Sequence, residues 1–256
     1  VIVKKINYCW RLFATAGLYF LFGVGGTLLP ILALSFYLIP GSLYTRQKRT
    51  RVLVHWTFRG YIHLLRLSRI MQWKVIGKEK LKQPGILVIS NHPTLLDVVF
   101  LIAFMPNADC IVKSSLMMNP AMRGFVSLTG YIKNDSGKLL IDDVQRSLNN
   151  GSSLIVFAEG TRTKANGNIS FQRGAANIVI RTKTAPTPVV INCFPKTLRK
   201  SDKWYDIPEH KFYLMIRVLE EMKVEKFMSI PASVGARQLT KHMEEFFKRE
   251  IAINEP

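Results

Sequence analysis

The chain has 256 residues, with 36 Lys or Arg against 17 Asp or Glu, a formal net charge of +19. Hydrophobic residues make up 48% and aromatics 11%, too much core material for a disordered chain. The length suits one catalytic-sized domain with an appendage. The three cysteines (Cys9, Cys110, Cys193) are too few and too scattered for a disulfide scaffold or a zinc pattern, and read as free thiols in a reducing compartment.

Charge and hydropathy are uneven. Residues 1–80 hold 13 Lys/Arg and one acid, Glu79, whereas residues 81–256 hold 23 Lys/Arg and 16 acids. Leu12–Ile39 is a 28-residue run without a charge. As a helix it would be about 42 Å long, enough for a hydrocarbon core of roughly 30 Å. Gly17, Gly23, Gly25, Gly26 and Pro30 interrupt it, and Pro30 is expected to kink or break the helix. Lys4, Lys5 and Arg11 on one flank nearly match Arg46, Lys48, Arg49 and Arg51 on the other, so charge assigns no orientation. A full span and a hairpin dipping into one leaflet both fit. The run exceeds the h-region of a cleaved signal peptide.

Across residues 46–74, Val52, Trp56, Tyr61, Ile62, Leu65 and Ile70 recur at helical spacing, with Arg46, Arg49, Arg59, Arg66 and Arg69 between them. Such a basic amphipathic helix suits a membrane interface and its phospholipids. A helix packed on the domain with a solvated basic face is the competing reading. Nucleic acid is set aside as a partner, because the charge adjoins the apolar run and no nucleic-acid motif occurs. The expected division is a membrane-anchoring helical segment, 1–74, followed by an α/β domain, 75–256.

In that second part, short apolar strands alternate with helical stretches. Strands are expected at Gln72–Ile76, Gly85–Ser90, Cys110–Lys113, Gly130–Ile132, Ser153–Phe157, Pro188–Phe194 and Phe212–Val218. Helices are expected at Pro93–Phe104, Asn119–Thr129, Asp142–Asn149, Gly174–Thr184 and Gly235–Ile251, with Asp142 and Asp143 at a helix N-terminus. Continuous apolar strands separated by helices predict an α/β fold, a mostly parallel sheet covered on both faces. Ligands of such sheets collect at the carboxyl ends of strands, here after residues 90, 132, 157 and 194.

Two of those edges carry chemistry. After the strand GILVIS come Asn91-His92-Pro93-Thr94-Leu95-Leu96-Asp97, a histidine at a strand-to-helix junction with an aspartate five residues on. The aspartate can reach one imidazole nitrogen, fixing the tautomer and supporting the imidazolium formed when the other takes a proton. Helix capping by Asn91 or His92 would explain part of the pattern. After Ser153–Phe157 come Ala158-Glu159-Gly160-Thr161-Arg162-Thr163, then Phe171-Gln172-Arg173-Gly174-Ala175-Ala176. Arg162 and Arg173 could grip a phosphate bidentately, with Gly160 and Gly174 allowing close backbone approach. A Glu159–Arg162 pair closing a turn is the plainer alternative. No Ser or Cys occupies a G-x-S-x-G elbow and no metal cluster is visible. Cys110 and Cys193 read as core thiols, His55, His63, His210 and His242 as non-catalytic, and Met117-Met118 as packing.

NHPTLLD and FAEGTR together resemble the glycerolipid acyltransferases of the 1-acylglycerol-3-phosphate type. The first block matches fully at Asn91–Asp97. The FPEGTR block matches at Phe157–Arg162 with Ala158 in place of proline, Phe171–Ala175 is similar to the stretch after it, and Thr187–Ile191 resembles the final proline-containing strand. The second block, Gly130–Asp135, lacks the usual Asp-Arg, with Lys133 as a substitute point charge. The resemblance covers about residues 75–220.

It implies an O-acyltransferase with His92 as general base, Asp97 orienting it, and Glu159, Gly160, Thr161, Arg162, Arg173 and Lys133 at the acceptor head group. It also implies acyl-CoA or acyl-carrier protein as donor, no cofactor, and a site on the cytoplasmic face of an inner membrane. The altered second block leaves a different lipid or glycolipid acceptor open. A non-catalytic lipid-binding role is opposed by the intact His92, Asp97, Glu159 and Arg162.

Overall fold

The computed structural model describes residues 2–118, 120–134, 138–164 and 167–253. The uncharged run lies in one unbroken helix, α1 (Ile2–Leu38), which continues through Pro30. The expected break is overturned. A proline inside a helix costs about 3 kcal/mol in a lost rung and a ring clash. Here Pro30 sits where α1 packs near Gly124, with Leu29 and Ala33 buried beside it.

Ser42 caps the next helix, α2 (Leu43–Leu67), accepting from the Thr45 amide at 3.2 Å. α2 runs back along α1. Trp10 Nε1 donates to the Ser68 carbonyl at 3.0 Å, and the Tyr61 hydroxyl to that of Leu18 at 3.2 Å. The hairpin is therefore made by α1 and α2 together, not within the apolar run. Phe13 and Phe20 of α1 are 76% and 75% exposed, and α1 is long and apolar enough to cross a membrane.

The buried face of α2 differs from the expected stripe. Ile62 and Leu65 are buried, but Trp56 is exposed, and Thr50, Arg51, Val54 and His55 are buried. Arg51 pairs with Asp109 at 3.1 Å and donates to the Thr129 carbonyl and the Ser152 hydroxyl, both at 2.8 Å. Burial raises the Asp109 carboxyl above its ordinary value, while Arg51, Ser147 and backbone amides pull it back. His55 Nδ1 lies 2.8 Å from the Ile102 carbonyl. α2 thus packs one face on the domain and leaves Trp56, Leu64 and Leu67 exposed on the other.

The α/β part comprises β1 (Met71–Ile76), β2 (Leu87–Ser90), α3 (Asp97–Phe104), β3 (Ala108–Val112), α4 (Pro120–Thr129), β4 (Ile132–Lys133), α5 (Lys138–Asn149), β5 (Ser153–Phe157), α6 (Arg173–Thr182), β6 (Pro186–Phe194), β7 (Phe212–Val218), α7 (Glu225–Met228) and α8 (Ala232–Ala252). Among the described residues these strands form one seven-stranded sheet, ordered β1-β7-β6-β2-β5-β3-β4. β6, β2, β5, β3 and β4 are mutually parallel. β7 is antiparallel to β6, and β1 parallel to β7. The sheet is mixed and mostly parallel, flanked by helices. One apolar cluster joins α2 and α3 to one face, where Val54, Ile62, Phe100 and Leu214 meet; the other joins α6 and α8, through Val179, Leu239 and Phe247. β1 straddles the boundary expected at residue 74.

α8 begins three residues before the expected Gly235, and two other helix starts differ by four. α3 begins at Asp97 instead of Pro93, because the Asp97 carboxylate captures the Thr94 amide and hydroxyl and holds residues 93–96 as a turn. α5 begins at Lys138, so Asp142 and Asp143 lie inside it, and Asp143 pairs with Arg146 at 3.4 Å. Met117 packs against the first apolar cluster as expected, whereas Met118 is 86% exposed.

Candidate active site

β2 is flanked by β6 and β5, so their three carboxyl ends open together. Asn91, at the end of β2, does not cap a helix. Its side chain donates to the Ile191 carbonyl and accepts from the Ile191 amide, both at 2.8 Å, and stitches β2 to β6. His92 follows. Its amide donates to Glu159 Oε1 at 2.9 Å, its carbonyl accepts from the Thr163 amide at 2.7 Å, and its ring stacks on Phe157 with centroids 4.0 Å apart. The turn after β5 therefore clamps the histidine backbone on both sides.

His92 Nδ1 lies 2.8 Å from Asp97 Oδ2. Asp97 is fully buried, and the same oxygen accepts the Thr94 amide at 2.8 Å while Oδ1 accepts the Thr94 hydroxyl at 2.5 Å. An amide only donates, so Oδ2 is an acceptor and the imidazole proton sits on Nδ1. Nε2 is left with its lone pair, on a side chain 17% exposed. The arrangement can take a proton from a nearby hydroxyl and stabilise the resulting imidazolium. Glu159 Oε1 also accepts the Thr163 hydroxyl at 2.7 Å. Burial raises its carboxyl above the ordinary value, opposed by the Thr163 hydroxyl, the His92 amide and the imidazole.

Residues 72–192 match the acyltransferase family. The chain is 30% identical over 179 residues to the 1-acyl-sn-glycerol-3-phosphate acyltransferase of Saccharomyces cerevisiae, covering 65% of this chain and 59% of the yeast protein. A Helicobacter pylori protein of the same name is 29% identical over 119 residues, covering 41% of this chain and 47% of its own. Residues 72–192 are an acyltransferase domain. The named relatives make it similar to the glycerolipid acyltransferases, and this chain spans less than two thirds of those relatives' length. In fold it is similar to the crystal structure of the 1-acyl-sn-glycerophosphate acyltransferase PlsC from Thermotoga maritima, with a TM-score of 0.72 at 21% identity, covering 97% of this chain and 96% of that one.

Around the His–Asp pair, the acyltransferase domain gathers some of the expected residues and disperses others. Gly160, at φ 66, closes the turn after β5 in a conformation that favours glycine. Thr161 is half-buried in that turn. Arg162 Nη1 donates to the Leu198 and Arg199 carbonyls at 3.2 and 3.1 Å, bracing the loop after β6. Its other guanidinium donors give it further capacity to bind an anion. Arg173 is exposed at the start of α6, brought beside the Glu159 turn by the bond from the Gln172 amide to the Ala158 carbonyl at 2.7 Å.

Lys133 is not brought together with them. It is exposed on the edge strand β4, three strands from β2, about 14 Å at ordinary strand spacing. Lys113, exposed just past the end of β3, stands one strand nearer and was not singled out from sequence. Its signal was only a cation after an apolar strand. Among the described residues no group of three His, Cys, Asp or Glu is placed to hold a metal.

Beside the pair lies an almost wholly apolar cavity of about 550 Å³ between α1, α2 and the acyltransferase domain. Leu95, Leu96 and Leu198 wall its near end, and Phe125, Val126 and Tyr131 line it further along the sheet. Arg11 of α1 secures the loop that covers it, donating to the Pro208 carbonyl at 2.7 Å and to that of Glu209 at 2.5 Å. No feature of the sequence pattern announced this cavity.

Proposed function

We propose that the protein is a membrane-associated O-acyltransferase. It moves a fatty acyl group from the thioester of acyl-CoA or acyl-carrier protein to the free hydroxyl of a lysophospholipid, for which 1-acylglycerol-3-phosphate is the leading candidate. The observation that carries this reading is the polarised His92–Asp97 pair at the near end of an apolar cavity large enough for an alkyl chain.

His92 Nε2 takes the proton of the acceptor hydroxyl as its oxygen attacks the thioester carbonyl. The carbon–sulfur bond breaks, the thiolate leaves, and the imidazolium returns the proton to sulfur. Asp97 stabilises the charge that His92 carries in between, and a general base of this kind contributes roughly 10²–10⁴-fold. No acyl-enzyme is required. Glu159 and Thr163 hold the histidine backbone, while Arg162 and Arg173 attract the acceptor phosphate. The exposed apolar faces of α1 and α2 bring the site to the bilayer, where acceptor and product reside.

A different acceptor head group is favoured by one observation. The second block lacks its arginine, and Lys133 stands three strands away. The test is to supply purified protein with mixed lysolipids and both thioester classes and identify the lipids formed by mass spectrometry. Diacyl phosphatidic acid as the main product supports the leading acceptor, acylation of another lysolipid supports the second, and no acylated lipid refutes the enzyme reading.

A further inference from the structure

Asp97 holds the His92 ring at one edge, through Nδ1. A single in-plane bond leaves the ring able to turn about it, so the faces of the imidazole need support of their own. One face has it. Phe157 ends β5, level with Ser90 in the strand register, and its ring lies 4.0 Å from the imidazole, with 19° between the planes. The phenyl is itself packed against the apolar cluster shared by α2 and α3, which fixes it in place.

That stack is tighter than its counterparts. Among the described residues the other ring pairs have centroids 5.1–6.1 Å apart. Neutral rings repel face to face, and settle offset or edge-on at roughly 4.5–7 Å. A cation over the same face is attracted instead, most strongly where water is excluded. The imidazole side chain is 17% exposed, so little solvent screens it. The geometry therefore suits imidazolium better than neutral imidazole. An interaction that is weak before proton transfer and strong during it lowers the barrier to reaction. An aliphatic side chain would fill the same space and supply none of this.

We propose that Phe157 is a positioning residue that acts through His92: its ring face fixes the turn of the imidazole and stabilises the charge that His92 carries during proton transfer. The proposal rests on His92 as general base. It adds a partner that works from the face of the ring, where Asp97 works from the edge.

The test assays transfer from palmitoyl-CoA to lysophosphatidic acid by the full chain in detergent micelles. Phe157 is replaced by its monofluoro, difluoro and trifluoro analogues, and separately by leucine in Phe157→Leu. Fluorine withdraws electron density from the ring face and nearly keeps its shape, so packing survives and attraction for a cation does not. The expected result is a graded fall in kcat with fluorine count, reaching roughly 3–30-fold in the trifluoro protein and in Phe157→Leu. KM should stay within about twofold, and the fluorinated proteins should unfold at the parental urea midpoint. Should Phe157→Leu fail to fold, the fluorinated series decides alone. Parental kcat in the trifluoro protein, or an effect confined to KM, would reduce the ring to packing and overturn the proposal. His92→Ala in the same assay separates the failures. Transfer lost there beside a flat fluorine series keeps the base and removes the role of Phe157. Transfer retained there, or none by the parent, removes the base and the proposal with it.

Discussion

Replacing Asp97 by Asn probes the positioning of the base. The carboxylate accepts three hydrogen bonds within 2.8 Å, two on Oδ2 from His92 Nδ1 and the Thr94 amide, and one on Oδ1 from the Thr94 hydroxyl. An asparagine amide turned with its nitrogen at the Oδ2 position would face two donors. Turned the other way, it meets only the hydroxyl, which can rotate to accept. The second orientation keeps the geometry and loses the charge.

Charge-assisted bonds contribute about 1.5–3 kcal/mol against 0.5–1.5 for neutral ones, so the two bonds on Oδ2 lose together about 2–3 kcal/mol of stability. The share felt by the imidazolium in the transition state is about 1.4–2.8 kcal/mol, a fall of roughly 10–100-fold in kcat. Steady-state kinetics on mixed micelles, with circular dichroism and urea unfolding of the same preparations, measure both quantities. KM should change by less than about twofold. A kcat within about threefold of the parent in a folded Asp97→Asn protein, or an effect confined to KM, would refute the role assigned to Asp97.

Glu159 links the site to pH. Its carboxyl is raised by burial, so the folded state holds the proton to higher pH than the unfolded chain does. The stability this contributes is present below pH about 4.5 and is lost as pH rises through the shifted value. The parent's stability relative to Glu159→Gln should therefore decline with pH from about 4.5 and then level off; a pH-independent difference contradicts the shift. Arg51→Met strands the buried Asp109 carboxylate, and urea unfolding should register a loss of about 3–5 kcal/mol. A loss under about 1 kcal/mol would mean that this pair does not hold α2 to the sheet. Washing membranes at about 1 M salt, where the Debye length is roughly 3 Å, should leave most of the protein bound through α1 and α2. Complete release would contradict apolar anchoring.

The readable parts of this molecule were the local ones. Strands such as Leu87–Ser90 and Ser153–Phe157 are buried on both faces, so their continuous apolar runs showed both their existence and their parallel pairing. His92 and Asp97 are five residues apart, and their contact needed only a strand-to-helix junction. The start of α3 was misjudged because the same carboxylate diverts the Thr94 backbone from helix, a competition that a proline at position 93 conceals. The role of Arg51 was hidden for another reason. Its partner Asp109 lies 58 positions along the chain, and an arginine on a basic amphipathic helix looks the same whether it faces lipid or a buried acid. The position of Lys133 depends on strand order, which periodicity does not carry, and the cavity depends on where α1 comes to rest against the domain. Pro30 is a breaker by local propensity, yet it lies inside α1, where that helix comes near Gly124 of α4.

The central claim is that the His92 imidazole takes a proton from a lipid hydroxyl. Its most direct measurement is the rate of acyl transfer by His92→Ala under saturating donor and acceptor, with binding of both confirmed on the same sample. The account predicts a fall of roughly 10²–10⁴-fold with substrate binding preserved. Transfer at near-parental speed by the folded variant would contradict it.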